Sequence, residues 1–423
     1  METFPPLPEW ITLEHQVATI LTQQEIHGWY FDEKSARELE STLRSELEST
    51  QAKLRADFPY VAGAVFTPKR DNKRTGYLKD VPFTRLKDFN PQSRDHISWI
   101  LQTHCDWTPT SLTASGKAVI DETVLKDIGT DISLRFLRVL ELTKQLGMIS
   151  EGVNAWQKLV TTSSRIHHHC SVGCATHRAS HRNPNLSQVP SDERFRRLFT
   201  ASPNMVMVGA DLSGIELRML AHYLARYDGG RYADILLNGD IHQTNADKIG
   251  ISRRQVKTVT YAFLYGAGDK KIGTSFDGSL GETQSKRKGK EIRKAFVDAI
   301  PGLSDLLKAV KRAAERGYVR GPDGRTISVD KGHVALNYLL QGAAATVAKR
   351  WMVLTHEHLS PMELRCNQLA FIHDELQFES HPNDVDDLKS LLVLSAAEAG
   401  EYYKLRLPIA AEAKSGKNWA EVH

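Results

Sequence analysis

The stretch from Val206 to Arg218, Val-Met-Val-Gly-Ala-Asp-Leu-Ser-Gly-Ile-Glu-Leu-Arg, constrains this chain more than any other. It begins apolar and β-branched, which predicts a buried strand. Asp211 stands where that strand is expected to stop. A Ser213-Gly214 turn follows, then a helical pattern with Ile215, Met219 and Tyr223 on one face and Leu220 and Leu224 beside them. A carboxylate at the end of a buried strand is a usual way to hold a hard divalent cation, which takes oxygen ligands. The same Asp could instead cap the helix that follows. Taken alone, the stretch leaves both readings open.

At 423 residues the chain can bury a large core and build more than one lobe. Its net charge of +4 says little about nucleic acid, so local clusters must carry that argument. Four cysteines, Cys105, Cys170, Cys174 and Cys366, do not make a disulfide scaffold at this length and fit a reducing, cytoplasmic setting. No run approaches the length of a membrane span. The proline-rich, acidic start from Met1 to Trp10 is unlike a signal or transit peptide.

In chain order, Leu13 to Gln24 reads as a helix and Gly28 to Phe31 as a strand-like step. Asp32 can cap a long, charged helix from Glu33 to Phe58, which Pro59 stops. Tyr60 to Asp88 reads as loop-rich and holds the basic run Pro68 to Arg74. Asn90, Ser93 and Arg94 cluster at a helix start, and a helix from about Asp131 to Gly147 carries Arg135, Arg138 and Lys144. His167, His168, His169, Cys170, Cys174 and His177 are zinc-type ligands, but their spacing is not that of a zinc finger.

After Gly239-Asp240-Ile241-His242 comes a helix with Arg253, Lys257, Tyr261 and Tyr265 at successive fourfold steps. Each step drifts only about 40° around a helix of 3.6 residues per turn, so the four form one stripe. No acid lies on the stripe. Two cations and two phenols make a face suited to a polyphosphate and a flat ring. Gln284 to Lys294 reads as a basic, exposed helix start. Asn337 and Gln341 lie four apart on a helix of small residues, placed either to read base edges or to pair with neighbouring backbone. Leu369 to Glu379 reads as a β-hairpin with its turn at His373-Asp374 and two acids, Asp374 and Glu375, at the tip. A second strand-end carboxylate is what a two-metal phosphoryl-transfer site needs. A last helix, about Val385 to Gly400, and a strand, Leu405 to Ala411, are expected to close the chain.

Three of these stretches together resemble the motifs of the family A (DNA polymerase I-like) DNA polymerases. Asp211 to Arg218 is similar to motif A, Arg253 to Gly266 to motif B, and His373-Asp374-Glu375 to motif C. Asn183 to Pro190, which includes Asn185, resembles the segment preceding motif A. The wording of motif B and of Leu237 to His242 resembles the replicative polymerases of short-tailed phages. The resemblance runs from about Leu13 to His423.

It implies an α+β fold with a right-hand layout: a palm with an antiparallel sheet, helical fingers and a helical thumb. The expected parts are an N-terminal palm-edge segment (1–30), the thumb (31–164), palm with motif A (165–228), fingers with motif B (229–332) and palm with motif C (333–423). By carry-over, Asp211 and Asp374 hold two Mg²⁺ ions, and Glu375 and Lys257 join the catalytic group. Arg253 and Lys257 bind the triphosphate of a deoxynucleotide with help from His242. Tyr265 and Glu216 shape the sugar and templating pockets, and Tyr261 faces the sugar. Arg178, Asn185, Asn337, Gln341 and His373 contact primer–template DNA, whose duplex backbone is held by Lys144, Asn90, Ser93 and Arg94.

The chain departs from the family pattern in places. Thr176-His177-Arg178 stands where the family has Thr-Gly-Arg, and His333 where many members have Arg. The acidic motifs of a 3′–5′ exonuclease are absent, which makes a separate exonuclease subunit a candidate partner. The Tyr60–Asp88 stretch is too short for the sizeable thumb insertion of some phage members. The leading expectation is a DNA-directed DNA polymerase without an exonuclease domain. The alternatives are a template-relaxed repair or RNA-copying polymerase, a single-subunit RNA polymerase, which Glu216 and Glu375 fit less well, and a catalytically idle primer–template-binding subunit. Retention of both aspartates with the cationic stripe argues against the idle subunit.

Overall fold

The computed structural model describes residues 6–278 and 280–423, so Met1 to Pro5 of the proline-rich start lie outside it. The chain divides into two compact units, one made of Met1–Glu33 with Leu159–His423, the other of Lys34–Lys158. It opens with α1 (Glu9–His27), which belongs to the larger unit and ends at Gly28, whose φ is +69°.

The smaller unit is built mainly from α2 (Glu33–Asp57), β1 (Tyr60–Phe66), β2 (Phe83–Asp88), α3 (Arg94–His104) and α4 (Asp131–Leu146). Helix α2 buries Ala36, Leu43, Leu47 and Leu54 and leaves its acidic and basic positions outside, as its amphipathic pattern requires. Arg138 of α4 makes a two-pronged pair with Glu46 at 2.6 and 2.7 Å, and Arg135 reaches Asp57 at 2.7 Å. The stretch expected to be loop is instead the antiparallel hairpin β1–β2. Apart from Val61, which is buried, its strands are largely exposed, so no regular alternation of apolar and polar residues betrays them. Phe66, Tyr77 and Phe83 pack edge to face, with Arg85 4.4 Å over the Phe66 ring.

The larger unit continues with β3 (Val206–Leu212), α5 (Ile215–Asp228), α6 (Ile241–Ile249), α7 (Arg253–Leu264), α8 (Leu303–Ala314), β4 (Tyr318–Arg320), β5 (Thr326–Ser328), α9 (Ala335–Leu359), β6 (Cys366–Ile372), β7 (Glu375–Ser380), α10 (Val385–Tyr402) and β8 (Ala411–Gly416). Four strands form an antiparallel sheet in the order β6-β7-β3-β8. Its register sets Asp211 opposite Glu375 on one side and Glu412 on the other. Gly209, two residues earlier, has no room for a side chain. A Cβ there would lie 2.6 Å from Gln377 Nε2 and 2.7 Å from the Val422 carbonyl of the last helix, Trp419–Val422. Helix α9 is buried on nearly every side from Gly342 to Val353, the mark of a core helix. Lys349, fully buried on α9, is paired with Glu14 of α1 at 2.7 Å, so the N-terminal helix is tied to the core by charge as well as by Leu13 and Val17.

One further expectation needs correction. The closing strand does not span Leu405 to Ala411. It begins at Ala411, because Pro408 lacks the N–H a ladder needs, while Leu407 and Ile409 are buried against the core as loop. The basic segment Gln284 to Lys294 starts in the first turn of the helix Glu282–Ala299 and is largely exposed, as expected. Ser285, Gly289, Ile292 and Phe296 form its buried side. No helix among the described residues is long and apolar enough to cross a membrane.

Candidate active site

The site grows from the end of the central strand. Asp211 does not cap the next helix. Gly214, with φ +56°, is the N-cap of α5 and provides no side-chain cap. Next to Asp211 the β6–β7 hairpin turns through His373, in the left-handed region at φ +60°, and Asp374. The Leu212 amide donates to the Asp374 carbonyl at 3.0 Å, which locks the turn to the strand end. Asp211 stays accessible, yet the surrounding protein strips enough water, and Glu375 adds enough negative charge, to push its carboxyl up to about 6. Burial and the charges of Asp211 and Glu216 push Asp374 up to about 7. Two carboxyls so raised mark a patch of uncompensated negative charge.

Glu375, the other acid expected at the tip, is the first residue of β7 and is buried. Its Oε1 accepts hydrogen bonds from Trp419 Nε1 and Gln377 Nε2, each at 2.6 Å, and its Oε2 lies 3.2 Å from His423 Nδ1. Sequence reading missed these three neighbours. Trp419 and His423 come from the chain end, and nothing local to Glu375 announces them.

The stripe on α7 keeps its order. Ser252 caps the helix in a capping box with Gln255, and the helix ends at Leu264, with Tyr265 as its C-cap. Lys257 is exposed. Arg253 is not unpaired as its own helix suggests. Asp240, the N-cap of α6, accepts from its Nε at 2.7 Å. His242, buried on α6, packs its ring 6.2 Å from Tyr261, and burial together with the Arg253 charge lowers its pKa. Burial and the charges of Glu216 and Asp374 raise the Tyr261 hydroxyl, so the stripe lies within the field of the carboxylates.

Glu216, on the first turn of α5, joins two other predicted residues. Arg178 Nη2 donates to it at 2.7 Å and the Tyr265 hydroxyl at 2.9 Å. Asn337 and Gln341 lie partly exposed on α9, and Gly266 approaches the Asn337 side chain. Asn185 is exposed and caps a short 3-10 turn through Ser187 N–H. His373 packs against His181 at 6.2 Å, which stacks in turn on His168 at 6.0 Å. Neighbouring groups use the other histidines of that cluster: His167 and His169 bond to Glu25, and His168 to Gln24. All four cysteines are free thiols, and among the described residues no three His, Cys, Asp or Glu side chains converge to hold a metal by themselves.

The remaining predicted residues lie in the smaller unit. Ser93 caps α3 by accepting from His96 N–H, Asn90 accepts from Gln92 N–H at 3.0 Å, and Arg94 is exposed on the first turn. Lys144 is exposed and reaches Glu122 at 3.4 Å.

Comparison with known proteins follows the same line. A family model for DNA polymerase family A matches residues 73–421. The DNA-directed DNA polymerases of Enterobacteria phage T3 and Escherichia phage T7 are 32% and 31% identical to the chain, over 98% of it and 70% of each of them. Among solved structures, the POL domain of Pol1 from M. smegmatis, in complex with DNA primer-template and dNTP, matches with a TM-score of 0.78 at 21% identity. That match covers 97% of this chain and 70% of the other.

Proposed function

The chain belongs to DNA polymerase family A and is a DNA-directed DNA polymerase, and from that premise we propose that it extends a primer 3′ end by two-metal phosphoryl transfer centred on Asp211 and Asp374. The observation that carries the proposal is the pairing of two raised carboxyls, at the end of β3 and in the adjoining hairpin turn, with a cationic stripe whose tyrosine feels their charge. This donor set fits Mg²⁺. Both are hard oxygen ligands, they repel one another without a cation, and substrate and water oxygens would complete the coordination. When bound, the two ions supply stabilisation of the charge on the attacking and leaving oxygens.

The rest is work for the chain's own side chains. Lys257 and Arg253 hold the triphosphate of the incoming deoxynucleotide, with Asp240 keeping Arg253 extended until the phosphates arrive and His242 assisting. Glu216, fixed by Arg178 and Tyr265, forms the wall of the sugar pocket. Glu375 acts from behind, as a buried negative charge beside Asp211. Arg178, Asn185, Asn337, Gln341 and His373 contact the primer–template, and Asn90, Ser93, Arg94 and Lys144 the duplex phosphates. We infer no 3′–5′ exonuclease activity for these 423 residues, which lack the acidic motifs of one.

The test is incorporation of a single nucleotide by Asp211→Ala and Asp374→Ala. Each variant is expected to lose on the order of a thousandfold or more in rate, because each removes a metal ligand. Primer–template affinity, which rests on dispersed polar and cationic contacts, should stay within about threefold. Near-normal extension by either variant in Mg²⁺ overturns the assignment.

A further inference from the structure

A cavity of about 210 Å³ opens behind the site, between the far half of α5, α8 and β4. Three tyrosines, Tyr223, Tyr227 and Tyr318, and three arginines, Arg226, Arg316 and Arg320, line it over an apolar floor from α8. The Arg316 and Arg320 guanidiniums lie 5.9 and 5.8 Å from the centre of the Tyr318 ring. Among the described residues no acid forms an ion pair with any of the three arginines. The Tyr223 hydroxyl is buried and, among the described residues, has no hydrogen-bond partner.

None of these groups belongs to the polymerase site. Leu339 lines the cavity from α9, two residues from both Asn337 and Gln341, and so presents the opposite face of that helix. Along α5, Tyr223 lies roughly 12 Å beyond Ile215 at 1.5 Å per residue. The cavity is therefore a second place, reached from the site over two turns of one helix.

Flat phenol rings, guanidiniums that engage the Tyr318 phenol but no carboxylate, and one buried hydroxyl suit a single chemistry. A planar base fills the aromatic part, its phosphate meets the arginines, and a polar base edge satisfies the Tyr223 hydroxyl. We propose that this cavity binds an unpaired nucleotide. The nucleotide comes either from a single-stranded stretch of nucleic acid or from free nucleotide in solution.

The test uses the full chain and a short oligo-dT carrying 5-iodouracil, which photocrosslinks to aromatic rings. Peptide mapping is expected to find the crosslink on Tyr318 or Tyr227. The double variant Arg316→Ala/Arg320→Ala should lower its yield at least tenfold, while Arg316→Lys/Arg320→Lys, which keeps the charge, should retain most of it. Primer extension across one unpaired template nucleotide should stay within about twofold in both variants. Competition by unlabelled oligo-dT but not by dTMP assigns the cavity to a single strand, and competition by dTMP at comparable nucleotide concentration assigns it to free nucleotide. A crosslink that maps elsewhere in the unmodified protein, or a yield the alanine variant does not change, overturns the proposal. Failure of primer extension by the unmodified protein would instead count against the polymerase reading.

Discussion

Glu216→Ala separates the hydrogen bonds that Glu216 makes from the sugar-pocket role proposed for it. Glu216 and Arg178 are only 13% and 16% exposed, and Tyr265 adds a second hydrogen bond. A hydrogen bond to a charged group contributes about 1.5–3 kcal/mol. The freed Arg178 recovers some hydration, so the net loss of stability should be about 1–3 kcal/mol rather than the sum. Burial and the Glu216 charge hold the Tyr265 hydroxyl up at about 12. In the variant it should titrate measurably lower, which ultraviolet titration against a Tyr265→Phe control would detect. For substrate choice, the family resemblance sets this acid against the C2′ position of the sugar. Opening that wall should be worth about 1–3 kcal/mol of discrimination, or roughly 10- to 200-fold. Single-turnover incorporation of deoxy- and ribonucleotides gives the ratio of the two kcat/KM values. Glu216→Ala should narrow it at least tenfold. Glu216→Gln, equal in volume but uncharged, should hold it within about threefold. An unchanged ratio in the alanine variant would refute the steric reasoning, even with the expected loss of stability and the expected Tyr265 shift.

Three further outcomes are expected. Tyr261→Phe should discriminate against dideoxynucleotides at least tenfold more than the unmodified protein, because the phenol would stand in for a missing 3′-hydroxyl; equal use by both proteins in competition assays places Tyr261 away from the sugar. Asp374→Asn should melt higher than the unmodified protein at pH 8 without Mg²⁺, since burial and Asp211 raise the folded carboxyl to about 7 from an ordinary 3.8 and so penalise its ionisation; the gain should appear between about pH 4 and pH 7, vanish in acid, and be absent altogether if the site is not repulsive. Burial alone would raise the Glu379 carboxyl, but hydrogen bonds from His27 and Ser202 outweigh it and hold it at about 2, so its contribution is full above about pH 4.5 and is lost as pH falls through 2; Glu379→Gln should cost about 2 kcal/mol in urea unfolding at pH 7, and the difference should shrink in acid.

What the sequence made legible was what is local to it. Asp211 and Glu216 share one strand–turn–helix segment, the stripe on α7 follows from helical spacing, and the hairpin around His373-Asp374 follows from apolar arms about a polar turn. What stayed hidden was either without pattern or remote. The β1–β2 hairpin is largely exposed, Val61 apart, and lacks a hydrophobic period. Arg253 finds its acid thirteen residues back, on the cap of a different helix. Arg178 and Glu216 lie 38 residues apart, and Trp419 lies 44 residues from Glu375. Such pairings are decided by packing, which residue types alone do not reveal.

The register of the sheet sets out the electrostatic problem that this packing answers. Asp211 has Glu375 on one neighbouring strand and Glu412 on the other, with Asp374 in the adjoining turn. That many carboxylates around one strand end repel one another, and without management they would take up protons or compete for any cation. The last helix manages one of them. Trp419 and Gln377 engage one oxygen of Glu375, and His423 stands beside the other, so this acid is spent on hydrogen bonds inside the protein. Gly209 is what allows that helix to come so close, since a side chain there would strike the Val422 carbonyl. Asp211 and Asp374 stay side by side at the strand end and the turn, still under the field of the sequestered Glu375. A substitution at Gly209 should therefore weaken the site by displacing the helix that keeps Glu375 occupied.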